Sequence, residues 1–143
     1  QMAFQRELDH ITSTARANGR WEDPVLRDRI VSLAIRVRIM RWNATRALRT
    51  DDNAQLPREA MINKLYWAEL HRDMGEVAVD VLGAGALLTR YSAADEGDAG
   101  ELEMSADHKL FFFSRSDTIY GGSNEIQRNL IGERALGLPR EPR

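Results

Sequence analysis

The segment Pro24–Arg49 is the feature that most constrains the fold of this chain. It contains no glycine and no proline after Pro24, and its apolar residues recur every three or four positions. Asp23 is suited to cap a helix, and Pro24 to occupy the first helical position, where the N–H that proline lacks would be unpaired anyway. The pattern therefore predicts one long helix.

That helix carries two apolar stripes on opposite sides. One stripe is formed by Leu26, Ile30, Leu33, Val37, Ala44 and Leu48, and the other by Val31, Ile35, Ile39 and Trp42. A helix on the outside of a bundle needs one stripe, whereas two indicate packing on both sides. Either the helix is central in its own bundle or one stripe contacts another subunit, and the sequence leaves both open. The arginines between the stripes are Arg27, Arg38, Arg41 and Arg49. We interpret them as a solvated seam or ion pairs rather than as a phosphate site.

Further helices are predicted on both sides of this segment, and no strands. Their expected ranges are Phe4–Ala17, Pro57–Leu82, His108–Tyr120 and Asn124–Leu136. The predicted fold is all-α, an antiparallel bundle of four to five helices. Between the third and fourth helices, Tyr91–Asp107 is rich in acidic residues and glycine, and we expect a mobile, solvated loop. Its spacing is not that of a calcium loop.

Composition excludes several classes of function. The chain has 143 residues and a formal net charge of -2, so it has no general attraction for nucleic acid or an anionic membrane. It has no cysteine, and His10, His71 and His108 lack a metal-binding spacing, so no metal site is expected. With no apolar run long enough for a membrane span and no signal peptide, a cytoplasmic protein is expected. Since translation does not begin with glutamine, Gln1 indicates a processed or partial chain.

Two glycine-containing segments are candidates for binding. Gly83-Ala84-Gly85 follows a predicted helix rather than a strand, which argues against a dinucleotide-binding loop and for a helix end. In Thr118–Arg128, two glycines end one helix, and Ser123 is suited to cap the next. Such a helix start offers free N–H groups to a polar cofactor edge, but the residues alone favour a tight corner between helices.

The run Ile119–Arg128, continued through Arg134, resembles the C-terminal signature of acyl-CoA dehydrogenases. The helical pattern upstream also resembles their C-terminal domain, so that residues 1–143 are interpreted as one such domain. The resemblance implies bound FAD, an acyl-CoA substrate, and electron-transfer flavoprotein as the usual electron acceptor. In the family a glutamate removes the α-proton and the β-hydride passes to flavin N5. The N-terminal helical domain and the middle β-domain of the family are absent from this sequence.

The resemblance also assigns contacts with FAD to particular residues. Ser123 and Glu125 occupy signature positions that contact the cofactor in relatives, and Tyr120 and Gly122 shape the same turn. Gly83 and Ala84 correspond to residues that contact the adenosine-diphosphate half of FAD, usually the FAD of a neighbouring subunit. Arg16 corresponds to an arginine that pairs with the FAD pyrophosphate. At Arg16 the Phe-Gly that commonly follows in the family is missing.

Gly121 is the main departure from the family pattern. Many relatives have the catalytic glutamate there, and glycine has no side chain to act as a base, so no catalytic residue is assigned in this chain. Some branches of the family take the base from an earlier helix, and others form mixed assemblies in which one subunit type lacks it.

The sequence is compatible with part of a dehydrogenase, in a homo- or hetero-oligomer, or with a non-catalytic helical subunit that completes another chain's FAD site. An unrelated helical scaffold is disfavoured by the signature. Straight-chain, branched and steroid side-chain thioesters all remain open, and the chain alone is expected to be inactive.

Overall fold

The computed structural model describes residues 2–47, 58–88, 90–91 and 102–140. Its α-helices are α1 (Met2–Ala17), α2 (Pro24–Ala47), α3 (Arg58–Met61), α4 (Asn63–Leu82), α5 (Ala106–Asp117) and α6 (Asn124–Leu130). Short 3-10 turns cover Arg20–Glu22 and Gly83–Leu87, and a π-helical turn, Ile131–Ala135, follows α6. The paired strands are β1 (Arg90–Tyr91) and β2 (Leu102–Glu103). The predicted all-α fold is confirmed.

The structure corrects several of the predicted element boundaries. The segment expected to be one helix from Pro57 is split into α3 and α4 at Ile62, while Pro57 itself lies outside the described residues. α5 begins before His108 because the Ser105 hydroxyl accepts a hydrogen bond from the His108 N–H and caps the helix at its start. Leu48 and Arg49, expected at the end of α2, also lie outside the described residues.

The expectation of no strands is wrong in one detail. β1 and β2 pair antiparallel, with Arg90 opposite Glu103 and Tyr91 opposite Leu102. Two residues per strand form a clasp rather than a sheet layer. The predicted mobility of the acidic loop concerns mainly residues 92–101, which lie outside the described residues. Asp107, counted as part of that loop, is instead a buried residue in the first turn of α5.

The core is centred on α4, which packs against α1, α2 and α5. From α4, Leu70, Met74 and Val81 are almost completely buried. They meet Ile11 of α1 and the first stripe of α2, which is buried as predicted from Leu26 to Val37 and continues to Met40. None of the described helices is long and apolar enough to cross a membrane.

The second stripe of α2 is only partly covered by the described part of this chain, where Ile39 is half-buried. Val31, Ile35 and Trp42 are 44%, 56% and 59% exposed, and we call these three residues the exposed stripe. The bundle's central helix is therefore α4 and not α2. The interpretation in which α2 is the central helix of its own bundle is therefore not supported.

The α4–α5 contact depends on Gly75. A Cβ placed on Gly75 would lie 2.7 Å from Ser114 Oγ and 2.9 Å from the Cα of Phe111, which is backbone and cannot swing aside. The missing side chain thus sets how closely the two helices approach.

Gly75→Ala is expected to destabilise the chain by about 1–3 kcal/mol, because overpacking at this contact outweighs the gain in helix propensity. Gly85→Ala is the control, since a Cβ there meets no atom within 4 Å, and it should change stability by less than about 0.5 kcal/mol. Urea denaturation followed by circular dichroism measures both. A G75A chain as stable as wild type would contradict this account of the contact.

Candidate functional site

A turn built on two glycines connects α5 to α6. Gly121 and Gly122 have φ of 68° and 95°, a left-handed backbone that side chains disfavour. The Asn124 N–H closes the turn on the Thr118 carbonyl at 3.2 Å. Ser123 caps α6 as predicted, its Oγ accepting from the Ile126 N–H at 3.5 Å. We call Thr118–Ser123 the signature turn.

Side chains outside the turn hold its carbonyl groups. Lys64 Nζ, in the first part of α4, donates to the carbonyl oxygens of Asp117 at 2.8 Å and Gly122 at 2.9 Å. Gln127 Nε2 donates to the Gly121 carbonyl at 2.9 Å. The turn is therefore tied both to the core helix α4 and to α6.

The Asp117 carboxylate connects the signature turn to the core. Its residue is only 1% exposed, and its two oxygens have different partners. The Tyr120 hydroxyl donates to Oδ1 at 2.7 Å, and His71 Nδ1 bonds to Oδ2. On the other side of the imidazole, His71 Nε2 lies 3.3 Å from Glu7 Oε2 of α1. A polar chain thus runs from Tyr120 through α5 and α4 to α1.

Electrostatics favour a charged imidazole in this chain. Burial of His71 disfavours the cation, but the carboxylates of Glu7 and Asp117 outweigh it and raise the pKa of His71 above its ordinary value. As an imidazolium, His71 donates from both ring nitrogens. The hydrogen bond to Asp117 raises the pKa of the Tyr120 phenol, which therefore stays protonated as the donor.

The first residues of α6 differ sharply in exposure. Glu125 is exposed, and hydrogen bonds from its own N–H and from Ser123 lower the pKa of its carboxyl group. Asn124 is buried, yet its Oδ1 has no hydrogen-bond partner among the described residues. A buried carbonyl oxygen without a donor is costly, so this atom marks a place where a donor from outside the described residues fits.

Gly121 leaves space at the position that holds the glutamate in many relatives. A Cβ there would meet only Lys64 Cε, at 3.8 Å. Among the described residues, no carboxylate of a neighbour fills the space beside Gly121.

The remaining predicted contacts lie at the other end of α4. Gly83 ends α4 with φ of 59° and begins the turn Gly83–Leu87, which we call the glycine corner. His108 Nε2 hydrogen-bonds the Ala86 carbonyl at 2.8 Å. A cavity of about 420 Å³ beside the corner is lined by Arg20, His108 and Phe112 among others.

Arg16 lies near that end as well, at the end of α1. Asn18, two residues later, donates to the Val81 carbonyl of α4 at 2.8 Å. The Arg16 guanidinium stacks on Trp21 at 4.9 Å from the ring centroid. The predicted residues thus form two groups, one around Tyr120 and one around Gly83. The 20 residues of α4 separate them by about 30 Å.

Comparison with known proteins identifies the fold and the family. Residues 1–136 match the family model described as "Acyl-CoA dehydrogenase, C-terminal domain". The chain belongs to the acyl-CoA dehydrogenase family. It is 42% identical to acyl-CoA dehydrogenase IpdE1 of Mycolicibacterium smegmatis, over 99% of this chain and 32% of that protein. It is 39% identical to IpdE1 of Mycobacterium tuberculosis, over 99% of this chain and 34% of that protein.

Solved structures of this family include a similar fold. The chain superposes on the "Tcur3481-Tcur3483 steroid ACAD" with a TM-score of 0.72 and 27% identity, covering 96% of this chain and 35% of that one. The same values are found for a glycine-to-alanine variant of that protein. The chain therefore spans about a third of the length of the relatives it matches.

Several residues that hold or adjoin the signature turn were not found from the sequence. Four polar residues were not predicted as site residues: Lys64, His71, Asp117 and Asn124. Each lies in a helix, and the apolar periodicity that predicts a helix gives no information about the partners of its polar residues. One local signal was available, since Asp117 precedes Tyr120 by three positions, the spacing of facing side chains on a helix. No described cluster of His, Asp or Glu has the form of a metal site.

Because both carboxylates favour the cationic form of His71, its contribution to stability is full below the unfolded-state pKa of about 6.5 and is lost as pH rises through the higher folded-state pKa. His71→Gln should therefore flatten the decline in the free energy of unfolding as pH rises above about 6.5. Gln5→Ala, which removes an exposed, uncharged side chain from α1, is the control and should keep the wild-type slope. Equal slopes for wild type and H71Q in urea titrations would contradict the charge state assigned here.

Proposed function

We propose that this chain is the C-terminal helical part of an FAD-dependent acyl-CoA dehydrogenase that desaturates an acyl-CoA thioester between the α- and β-carbons. In this proposal the signature turn and Glu125 contact the flavin, the glycine corner contacts a second cofactor, and the exposed stripe contacts another subunit. The observation that carries the proposal is the geometry of the turn, with two left-handed glycines held between a capped helix and a core lysine.

The turn's residues suit a planar, polar cofactor edge. Gly121 is exposed and without a side chain, so a flat ring can approach the backbone closely. The buried Asn124 Oδ1 lacks a donor among the described residues, and a flavin carries both donors and acceptors along its edge. These features support the assignment of Tyr120, Gly122, Ser123 and Glu125 as cofactor contacts.

The separation of the two groups of predicted contacts supports an oligomer. Tyr120 and Gly83 lie at opposite ends of α4, about 30 Å apart. In the family the far end of the flavin site is closed by a neighbouring subunit, so one chain meets the flavin end of one cofactor and the adenosine-diphosphate half of another. We place Gly83, Ala84 and Arg16 in the second role.

When bound, FAD accepts the β-hydride of the thioester and passes the electrons to an acceptor, which we propose is electron-transfer flavoprotein. This chain's part is to bind and orient the cofactor. Gly121 supplies no group to remove the α-proton, so the base comes from outside these residues.

The substrate proposed is a thioester with a steroid-derived acyl group. The support is the name of the solved structure, a steroid ACAD, at 27% identity. The second candidate function, a non-catalytic subunit that completes another chain's flavin site, is favoured by one observation. Gly121 has no side chain to act as a base, and within the part of the chain that the structure describes no carboxylate lies in its space.

The main test compares the 143-residue chain with the assembly that contains it together with the family's middle β-domain. After incubation with FAD and desalting, the assembly should retain flavin absorbance, and a steroid acyl-CoA should bleach it anaerobically. The chain alone should retain none, since it supplies one wall of the site. One flavin per polypeptide chain in the assembly supports the dehydrogenase subunit, and one flavin per pair of different chains supports the partner role. An assembly without flavin, or turnover by the chain alone, would sink the proposal.

Ile35→Glu tests the subunit contact. Placing a charge within the exposed stripe should weaken association, because a buried unpaired charge is costly at an interface. Sedimentation velocity at high micromolar concentration should show the wild-type chain associated and I35E shifted towards monomer. Arg41→Gln changes the net charge by the same amount on an exposed part of α2 outside the stripe and should leave association unchanged. A monomeric wild-type chain would contradict the assignment.

A further inference from the structure

We propose that Lys64 is a positioning residue for the flavin contacts of the signature turn, holding the two ends of that turn at a fixed separation through its ammonium group. This inference rests on the proposed function, because it takes the turn to be a flavin contact. Lys64 itself is assigned no contact with the cofactor or the substrate.

The geometry of Lys64 is that of a bridge. One acceptor, the Asp117 carbonyl at 2.8 Å, belongs to the last residue of α5. The other, the Gly122 carbonyl at 2.9 Å, belongs to the second left-handed glycine, immediately before the cap of α6. A single cation therefore joins the point where the chain leaves one helix to the point where it enters the next.

The charge of Lys64 is suited to these acceptors. The last carbonyls of a helix have no partner within it and carry the negative end of the helix dipole. A lysine ammonium has three donors and no acceptor, so it can satisfy two carbonyls at once. The Asp117 carboxylate is meanwhile bound by Tyr120 and His71, so Lys64 acts on the backbone of the turn.

The turn needs such a bridge because of its sequence. Two consecutive glycines give the backbone its widest conformational freedom, and that freedom is lost when a ligand orders the segment. Gln127 fixes the Gly121 carbonyl from α6, and α6 is in turn held to α4 by the ion pair of Arg128 with Glu69 at 2.6 Å. Lys64 acts on the turn directly, because it extends from α4, whose residues Leu70 and Met74 are completely buried. Lys64 thus fixes the position of the turn relative to the rigid core. A turn that is already ordered loses less conformational entropy when it binds a ligand.

Removing the ammonium need not disturb that core. Lys64 is half-buried near the start of α4, and its stem packs near Trp67, with Nζ 6.0 Å from the ring centroid. Methionine keeps a stem of similar length and loses only the donors. Lys64→Met therefore separates positioning from packing.

The test uses the flavin-loaded assembly that contains this chain, with the variants K64M and K64R. Hydrogen bonds to a charged donor are typically worth enough that their loss weakens binding roughly tenfold or more. K64M should raise the FAD dissociation constant by about that factor, and K64R, which can donate to both carbonyls, should recover much of the affinity. Lys109→Met, which removes an exposed lysine from α5, is the matched control and should keep wild-type affinity.

A second readout does not depend on the cofactor. In the flavin-free assembly, amide hydrogen exchange measured by mass spectrometry should increase in K64M for peptides covering residues 118–124, with peptides from α4 unchanged. Should K64M not fold, K64Q, which removes the charge and shortens the side chain but keeps a polar amide, carries the same comparison.

The outcomes separate this inference from the proposed function. A wild-type assembly that binds no FAD sinks the proposed function, and the exchange of residues 118–124 still decides whether Lys64 holds the turn. If wild type binds FAD while K64M shows unchanged affinity and unchanged exchange, the positioning role is overturned and the proposed function stands. A lower melting temperature in K64M with unchanged FAD affinity would likewise assign Lys64 a structural role only.

Discussion

A buried carboxylate, that of Asp117, is the interaction on which the rest of this domain depends. Burying a carboxylate is costly unless it is paired and hydrogen-bonded, and here the cost is offset by the His71 imidazole and the Tyr120 hydroxyl. His71 belongs to α4 and Tyr120 belongs to the signature turn. The hydrogen bonds that pair the buried carboxylate therefore also fix the orientation of the signature turn relative to the core. The packing of the bundle and the geometry of the candidate site are thus set together.

Helix α4 lies at the centre of the bundle, and one candidate binding surface lies at each of its two ends. At its beginning, Lys64 and His71 hold the turn that we assign to one flavin. At its end, Gly83 forms the corner that we assign to another. A helix of fixed length between two binding surfaces makes the spacing of neighbouring cofactors a property of the monomer. The exposed stripe on α2 is the apolar area that we propose for the contact between chains.

The sequence was sufficient for the fold class, because long apolar periodicities and the caps at Asp23 and Ser123 are local signals. It also indicated the turn, since two glycines before a serine have few structural alternatives. It did not predict the polar chain from Glu7 to Tyr120, whose members come from α1, α4, α5 and the turn and meet only after folding. The split at Ile62 and the clasp of β1 and β2 were missed because each is decided by tertiary packing over a few residues.

The central claim is that one copy of this chain contacts two cofactors, one at the signature turn and one at the glycine corner. A density map of the flavin-loaded assembly, at a resolution that orients the isoalloxazine ring, tests this most directly. The account predicts the ring beside Tyr120 to Glu125 of one copy, with the adenosine-diphosphate half of a different cofactor against Gly83 and Ala84 of that same copy. A flavin placed away from the turn, or a single cofactor reaching both ends of α4 within one chain, would contradict it.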